Sequence, residues 1–554
     1  MTRYGIYLAY QPTVDMRAEG LGRHLAALLR AAQRRDDMRF VIACPSWSRD
    51  ALRQLCESER IDPEAFDVVG PERKPALLRA YEAWSRRRVP RPGRLRAWRD
   101  AAFAWLAEHA NRLLFPWRRA VIGSRSMWPL VLVGLVLAAL ATLAAPFLFA
   151  AAVVRSAVSR ARAWVGRVAL RGSTAVAGRR TGRAARELLA GRAPKDVPTV
   201  VAMYRQMQEV EIEALHEAIG RLDDVRAWYC PTAFWPSVTD LRVPHLVCVP
   251  DVVLADFPAT FSEIGGERLL DTYRQIEATL RRARRFVTYS EFVKANTLVR
   301  RFGVDPSAVD VVTHGAIRLD ALIRVHGSAQ PEAATDALAR ELVRAAVARV
   351  QPPLRPGALG GDARFLFYAS QFRPHKNVVN LLRACAHLLR RRHEGCRLVL
   401  TGNPALAPEI REFVSRLEMQ EEVLFVPGLS PQELAAFYRR ATLSVNPSLF
   451  EGGLPFTFSE SVSVGTPVVM ARIPVTVQAI HDDGLAQDML FDPHDWRDMA
   501  SRIEWALAHR EALLARQQAY FERAIAPRTW AHALDDYKRV LDRLADAEAP
   551  RRVA

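Results

Sequence analysis

Two carboxylates, Glu451 and Glu460, flank a glycine-rich turn, and two cations, Arg373 and Lys376, stand three residues apart upstream of it. The turn Glu451-Gly-Gly-Leu-Pro455 follows Ala441-Thr-Leu-Ser-Val-Asn446, a short apolar, β-branched run that reads as a buried strand. A helical run from about Phe456, then Gly465-Thr-Pro467 and a second apolar strand, complete a parallel crossover unit. Its loop falls at the carboxyl end of a strand, where open α/β sheets place ligands. Gly452 and Gly453 let backbone N–H groups approach an anion, which the following helix N-terminus also favours. The two carboxylates would repel phosphate. They suit hydroxyl groups, which donate to carboxylate oxygens. Arg373 and Lys376 occupy a second strand-to-helix turn, near a helix start at about Asn377, where both can face one anion. Phosphate-binding groups beside hydroxyl-binding acids describe a nucleotide-sugar site.

The first stretch resembles the signature of retaining glycosyltransferases of the GT-B fold, family 4 type, in which seven residues separate two glutamates in a pattern of the kind E-G-F-G-L-P-x-x-E. Here Pro447-Ser-Leu-Phe precedes Glu451, Gly465-Thr-Pro-Val-Val469 follows Glu460, and eight residues separate the acids. Ser370-Gln-Phe-Arg-Pro-His-Lys376-Asn is similar to the family's Arg and Lys pair on the donor diphosphate, in a wording like that of some mannosyltransferases. The resemblance implies catalytic roles for Glu451, Arg373 and Lys376, with Glu451 positioning the donor sugar and Glu460 holding the ribose. It implies further donor contacts from Gly452, Gly453, Leu454, Gly428, Leu429 and Ser370. Glu19-Gly-Leu-Gly22-Arg-His resembles the family's first cleft loop, which places Gly20 and Gly22 on the acceptor side. Asp251 matches the second residue of a family His-Asp pair whose His is Pro250 here, and Thr313-His314-Gly315 resembles a strand-end P-H-G. His314 reads equally well as a plain turn residue. No Asp-x-Asp strand end of the metal-dependent type is present, so no metal is expected. The likeness is strongest over 363–510, weaker over 1–80 and 197–320, and absent between.

These residues require elements to position them. Tyr4 to Ala9 and Met38 to Ala43 read as strands around a helix from Arg23 to Arg34. Thr199 to Met203 reads as a strand, Glu209 to Leu222 as a helix, and His245 to Val249 and Phe286 to Tyr289 as strands. The α/β texture implies two doubly wound Rossmann-like domains facing across a cleft. The expected organisation is a first domain over 1–83 and 196–325, an insertion over 84–195, and a Pro-, Ala- and Gly-rich linker over 326–362. A nucleotide-sugar domain over 363–525 and a C-terminal helix over 526–554, packing back on the first domain, complete it. At 554 residues the chain is long enough for these cores. Its six cysteines show no CxxC pair and read as buried reduced thiols of the cytoplasm, with no zinc and no disulfides. Met1-Thr-Arg-Tyr-Gly-Ile-Tyr-Leu enters a strand directly, so no signal peptide is expected.

Net charge is +18, and the insertion accounts for it: Trp84 to Lys195 holds 22 Lys and Arg against three acids, leaving 56 basic and 57 acidic residues elsewhere. Ser126 to Val154 runs 29 residues without a charge, enough for about one bilayer crossing. A single crossing would split one sheet across a membrane, so an even number is required, or none. Pro146 can divide the run into a re-entrant hairpin, and the flanking arginines and Trp residues suit an anionic cytoplasmic face. A helical hairpin buried against a partner is the alternative; nucleic acid is not expected, because its grooves have no use for an apolar run of this length. The expected activity is transfer of a hexose, mannose from a GDP donor or another GDP- or UDP-linked sugar, with retention, onto a lipid-linked or polysaccharide acceptor at the inner membrane face. The alternatives are a nucleotide-sugar epimerase of the same fold and a catalytically silent membrane scaffold. The sequence leaves the oligomeric state open.

Overall fold

The computed structural model describes residues 1–87 and 199–548, apart from 13, 19, 351–358, 360–362 and 393–394. The basic insertion beyond residue 87, its apolar run 126–154, Glu19 and the end of the expected linker therefore lie outside the described residues. The chain divides into a unit of residues 1–74 with 207–554 and a unit of residues 75–206. Of the latter, the described part is the helix Ala76–Arg87 and the first turns of the helix Thr199–Gly220.

The larger unit holds two parallel sheets. The first comprises β1 (Thr2–Tyr7), β2 (Met38–Ala43), β3 (Phe66–Val69), β4 (Val225–Cys230), β5 (His245–Cys248), β6 (Phe286–Thr288) and β7 (Val309–Val311), in the order β3-β2-β1-β4-β5-β6-β7. The second comprises β8 (Phe365–Tyr368), β9 (Arg397–Leu400), β10 (Val423–Phe425), β11 (Leu443–Asn446), β12 (Val468–Ala471) and β13 (Leu490–Phe491), in the order β10-β9-β8-β11-β12-β13. Both orders reverse direction once, between β1 and β4 and between β8 and β11. Those are the switch points outside whose carboxyl ends doubly wound sheets bind ligands. Phe365-Leu-Phe-Tyr368 and Val468-Val-Met-Ala471 are buried at every position, as strands covered on both faces must be. The fold is α/β of the GT-B kind.

Two sequence expectations change. Thr199 to Met203, read as a strand from its apolar start, is the first turn of a 22-residue helix that continues to Gly220. Short apolar runs do not separate strand from buried helix. The stretch 326–362 is not simply a linker: Pro331–Ala348 is a helix whose Ala339, Val343 and Ala346 pack with Phe367, Val399, Ala435 and Tyr438 in the second sheet's core. Alanine, which made that stretch look low in information, is the strongest helix former.

The helix Trp530–Glu548 leaves the second sheet and buries Leu534, Tyr537, Leu541 and Leu544 in the core of the first, beside Leu25 and Tyr229. At the crossing point Ala316 N–H donates to the Arg528 carbonyl at 2.7 Å, and the Arg528 guanidinium donates to the Thr313 carbonyl at 2.8 Å. All six cysteines are buried and free. Among the described residues no helix is long and apolar enough to cross a membrane.

Candidate active site

The two sheets face each other with their strand ends opposed, and a cavity of roughly 380 Å³ lies between them. Thr232 beyond β4, Pro250 and Asp251 beyond β5, Tyr289 beyond β6 and His314 beyond β7 form one wall. Tyr368 to Ser370 at the end of β8, Lys376, Asn446 at the end of β11 and the turn Glu451–Thr457 form the other. The size matches small-ligand sites, and the placement follows from the strand order.

Lys376 is held by its neighbours. Asn377 adopts a left-handed conformation (φ 56°), which asparagine tolerates better than most residues. Its side-chain amide donates to the carbonyls of Pro447 at 3.0 Å and Pro493 at 2.7 Å. This ties the start of the helix Val378–Arg391 to the loop after β11, whose Leu449 N–H donates to the His375 carbonyl at 2.8 Å. Lys376 Nζ then donates to Glu451 Oε1 at 2.5 Å. Burial disfavours the ammonium, but the Glu451 carboxylate outweighs it and holds the Lys376 pKa above the ordinary lysine value.

Asp251 faces this pair from the first domain. Desolvation pushes its carboxyl up to about 6, against the stabilising Val253 N–H, with the Glu451 charge adding to the rise. On the same wall, burial holds His24 well below the ordinary histidine value and brings His314 down to about 3, so both rings are neutral at pH 7. The His24 and His314 rings stand 5.3 Å apart, and each has an Nδ1 without a hydrogen-bond partner.

Glu460 is almost fully buried on the helix Phe456–Ser463. One carboxylate oxygen accepts from the Tyr438 hydroxyl at 2.8 Å and the other from the guanidinium of Arg23, on the first helix of the opposite domain. Arg23 also stands 5.8 Å from the centroid of the Phe456 ring. The glycine turn itself docks on the first domain: the Ser290 hydroxyl donates to the Gly452 carbonyl at 2.8 Å. A Cβ on Gly452 would stand 2.0 Å from the Pro250 carbonyl oxygen. Glycine is required there for approach of the two domains, a reason the sequence did not disclose.

Of the expected site residues, Glu451, Lys376, Glu460, Gly452, Gly453, Leu454, Ser370, Gly20, Asp251 and His314 line this one cavity. Arg373, Gly428, Leu429 and Gly22 are not among its lining residues. Arg373 is exposed and donates to the Gln371 side-chain oxygen at 3.2 Å. Its backbone is extended (φ −134°, ψ 150°) because Pro374 follows, so its side chain leaves the chain before the turn that presents Lys376. Gly428 has a left-handed backbone, Leu429 packs against the second-domain core, and Gly22 is packed against the Met16 carbonyl. Sequence reasoning gave no role to Arg23, His24, Tyr289 or Tyr438. The available signal was Arg23-His24 directly after the glycine pair, at the start of an amphipathic helix. No group of three His, Cys, Asp or Glu among the described residues is arranged to hold a metal ion.

Residues 355–523 match the family model described as Glycosyl transferases group 1. The D-inositol 3-phosphate glycosyltransferase of Mycolicibacterium smegmatis is 30% identical over 359 residues, spanning 61% of this chain and 71% of that protein. The enzyme of the same description from a Nocardioides species is 30% identical over 278 residues, which is 46% of this chain and 54% of that protein. The chain thus spans between about half and seven-tenths of these relatives. Among solved structures, Anabaena HepE in complex with UDP and glucose superposes with a TM-score of 0.51 at 11% identity, covering 98% of this chain and all of that one, a likeness of fold.

Proposed function

Because the chain belongs to the glycosyl transferases group 1 family and is a glycosyltransferase, we propose that it moves a hexose, with retention, from a nucleoside diphosphate sugar to a lipid-linked or glycan acceptor. The observation that carries this reading is the Lys376–Glu451 pair inside a cavity at two opposed switch points. A lysine there can meet the negative charge that grows on a departing diphosphate, which lowers the barrier more than it stabilises bound donor. Glu451, once its lysine turns to phosphate, is free to accept hydrogen bonds from sugar hydroxyls. The same role toward the ribose is proposed for Glu460.

In the step so read, the bond from the anomeric carbon to the diphosphate oxygen breaks and its electron pair stays with the leaving group. The acceptor hydroxyl oxygen bonds to the same face of that carbon, and its proton passes to the leaving phosphate. The neutral rings of His24 and His314 and the carboxyl of Asp251 form the wall opposite Lys376, where an acceptor would lie. We propose that no metal takes part. Mannose from GDP-mannose remains the expected donor on the Ser370–Lys376 wording, and the family 4 assignment rests on the stretch from Ser448 to Val469.

We also propose that the basic insertion attaches the enzyme to the inner face of an anionic membrane, which brings a lipid-linked acceptor within reach. The relatives' descriptions name a phosphorylated inositol instead, so inositol 3-phosphate belongs in the acceptor panel. The test is release of nucleoside diphosphate from GDP-mannose, UDP-glucose and other donors, with and without acceptors. Turnover that disappears in Lys376→Ala supports the transferase. Donor isomerised without transfer would mark an epimerase, and inertness toward every donor would mark a scaffold.

A further inference from the structure

Within the cavity wall Lys376 has one cationic counterpart of fixed charge, Arg23 of the first domain, because Arg373 faces solvent. Both cavity cations are held by carboxylates, Lys376 by Glu451 and Arg23 by Glu460. The Glu460 side chain is 2% exposed, and its two oxygens are engaged by Arg23 and by the Tyr438 hydroxyl. Each oxygen keeps a further lone pair, but with so little of the side chain exposed, displacing Arg23 or Tyr438 is what would make room for a ribose hydroxyl. Tyr438 is itself fully buried beneath the helix, whereas Arg23 is one-third exposed toward the cavity and can move. A guanidinium cannot shed its proton, so once displaced it needs another anion. The anion that arrives with the ribose is the diphosphate, whose pairs of non-bridging oxygens suit a guanidinium fork.

We propose that Arg23 is the second phosphate-facing catalytic residue: donor binding exchanges its Glu460 partner for the diphosphate, and Glu460 turns to the ribose. This rests on the transferase reading above. The exchange gives the leaving group two cations, one from each domain. It replaces a direct tie between the domains with one that runs through the donor. The donor thereby becomes the bridge across the cleft.

The experiment compares the full-length chain with Arg23→Gln and Arg23→Lys, using UDP against uridine and GDP against guanosine in calorimetry, together with donor turnover. Arg23→Gln is expected to weaken the nucleoside diphosphate at least tenfold, to leave the nucleoside as tight or tighter, and to lower kcat by about 10²-fold. Arg23→Lys, which keeps the charge but not the fork, should recover part of both. Glu460→Gln should weaken the nucleoside and enlarge the gain from the two phosphates, because Arg23 then has no carboxylate partner. Thermal melts identify a variant that fails to fold, and Arg23→Lys carries the comparison if Arg23→Gln does. Equal weakening of nucleoside and diphosphate would reduce Arg23 to a strut for Glu460 and overturn the proposal. Wild-type turnover with diphosphate affinity independent of Arg23 would overturn it while leaving the transferase intact. An inert wild type whose diphosphate affinity still needs Arg23 would overturn the transferase reading, and with it the catalytic role, while leaving Arg23 as a phosphate contact.

Discussion

Lys376 Nζ and Glu451 Oε1 meet at 2.5 Å, although one residue closes the turn after β8 and the other the loop after β11. These are the two strands between which the second sheet reverses its winding, so the ion pair sits on the switch point itself. Each side chain keeps only about a fifth of its surface exposed. Removing one partner therefore strands a charge in a poorly solvated place, which is costly whatever the net worth of the pair.

Lys376→Ala is accordingly expected to lose about 10²- to 10³-fold in kcat, the usual consequence of removing one preorganised group from a developing oxyanion. It should also melt earlier, because Glu451 is left unpaired. The double variant Lys376→Ala with Glu451→Gln should recover much of the melting temperature and none of the turnover. Thermal denaturation beside a nucleoside diphosphate release assay reads both. Recovery of activity in the double variant would mean that the pair is structural.

Asp251 makes a prediction about pH. Its folded-state value is raised to about 6 from 3.8. Between those two values the folded chain holds a proton that the unfolded chain has released, so stability falls as pH rises through this window and is level above it. Asp251→Asn removes that dependence. The variant should match the wild type near pH 4 and exceed it at pH 8 by on the order of 2 kcal/mol. Urea denaturation at the two pH values measures the difference, and equal stability at pH 8 would show that the carboxylate is not strained by its burial. If Asp251 faces the acceptor, the stabilised variant will also turn over more slowly.

Much of this was legible in the chain because it is local. Alternation of apolar runs with glycine punctuation marked β8, β11 and β12, and Glu451, Lys376 and Glu460 were found because turn chemistry at strand ends is written in a few adjacent residues. What was not legible depends on which residues meet across the cleft. Arg23 and Glu460 lie 437 positions apart, and no spacing rule joins them. Arg373 was assigned with Lys376 because three residues suggest one face, yet the proline between them sets the backbone of Arg373 and turns its side chain to solvent. The helix Pro331–Ala348 was missed because its sequence is rich in alanine, which reads as filler until a partner such as the helix Pro431–Arg440 covers Ala339, Val343 and Ala346.

Gly452 links the two domains through its lack of a side chain. In Gly452→Ala the new methyl would have to displace the Pro250 carbonyl or lift the turn, and lifting the turn breaks the 2.8 Å bond from Ser290. Overpacking of this kind costs about 1–3 kcal/mol, but here the cleft can open instead of absorbing the strain. The expected result is a small loss in melting temperature, a larger radius of gyration by small-angle scattering, and at least a tenfold loss of turnover. Ser290→Ala should show the same direction at lower amplitude, since one hydrogen bond contributes about 1 kcal/mol. A compact, active Gly452→Ala would mean that the turn tolerates a side chain and that contact with Pro250 is incidental.

The insertion gives the last prediction, and its charge distribution decides the form of the test. With 22 basic and three acidic residues between Trp84 and Lys195 and near-neutrality elsewhere, the proposed attraction to anionic lipid would have to come from this segment. The 29 uncharged residues from Ser126 to Val154 add an apolar contribution that salt does not screen. The full chain should therefore sediment with vesicles of mixed phosphatidylcholine and phosphatidylserine and stay bound in part at 1 M salt, where electrostatic attraction beyond about 3 Å is lost. Deletion of residues 84–194 should abolish sedimentation while turnover of a water-soluble acceptor survives. Salt-reversible binding of the full chain would limit the segment to lying on the surface. Binding that persists after the deletion would place membrane attachment elsewhere in the chain.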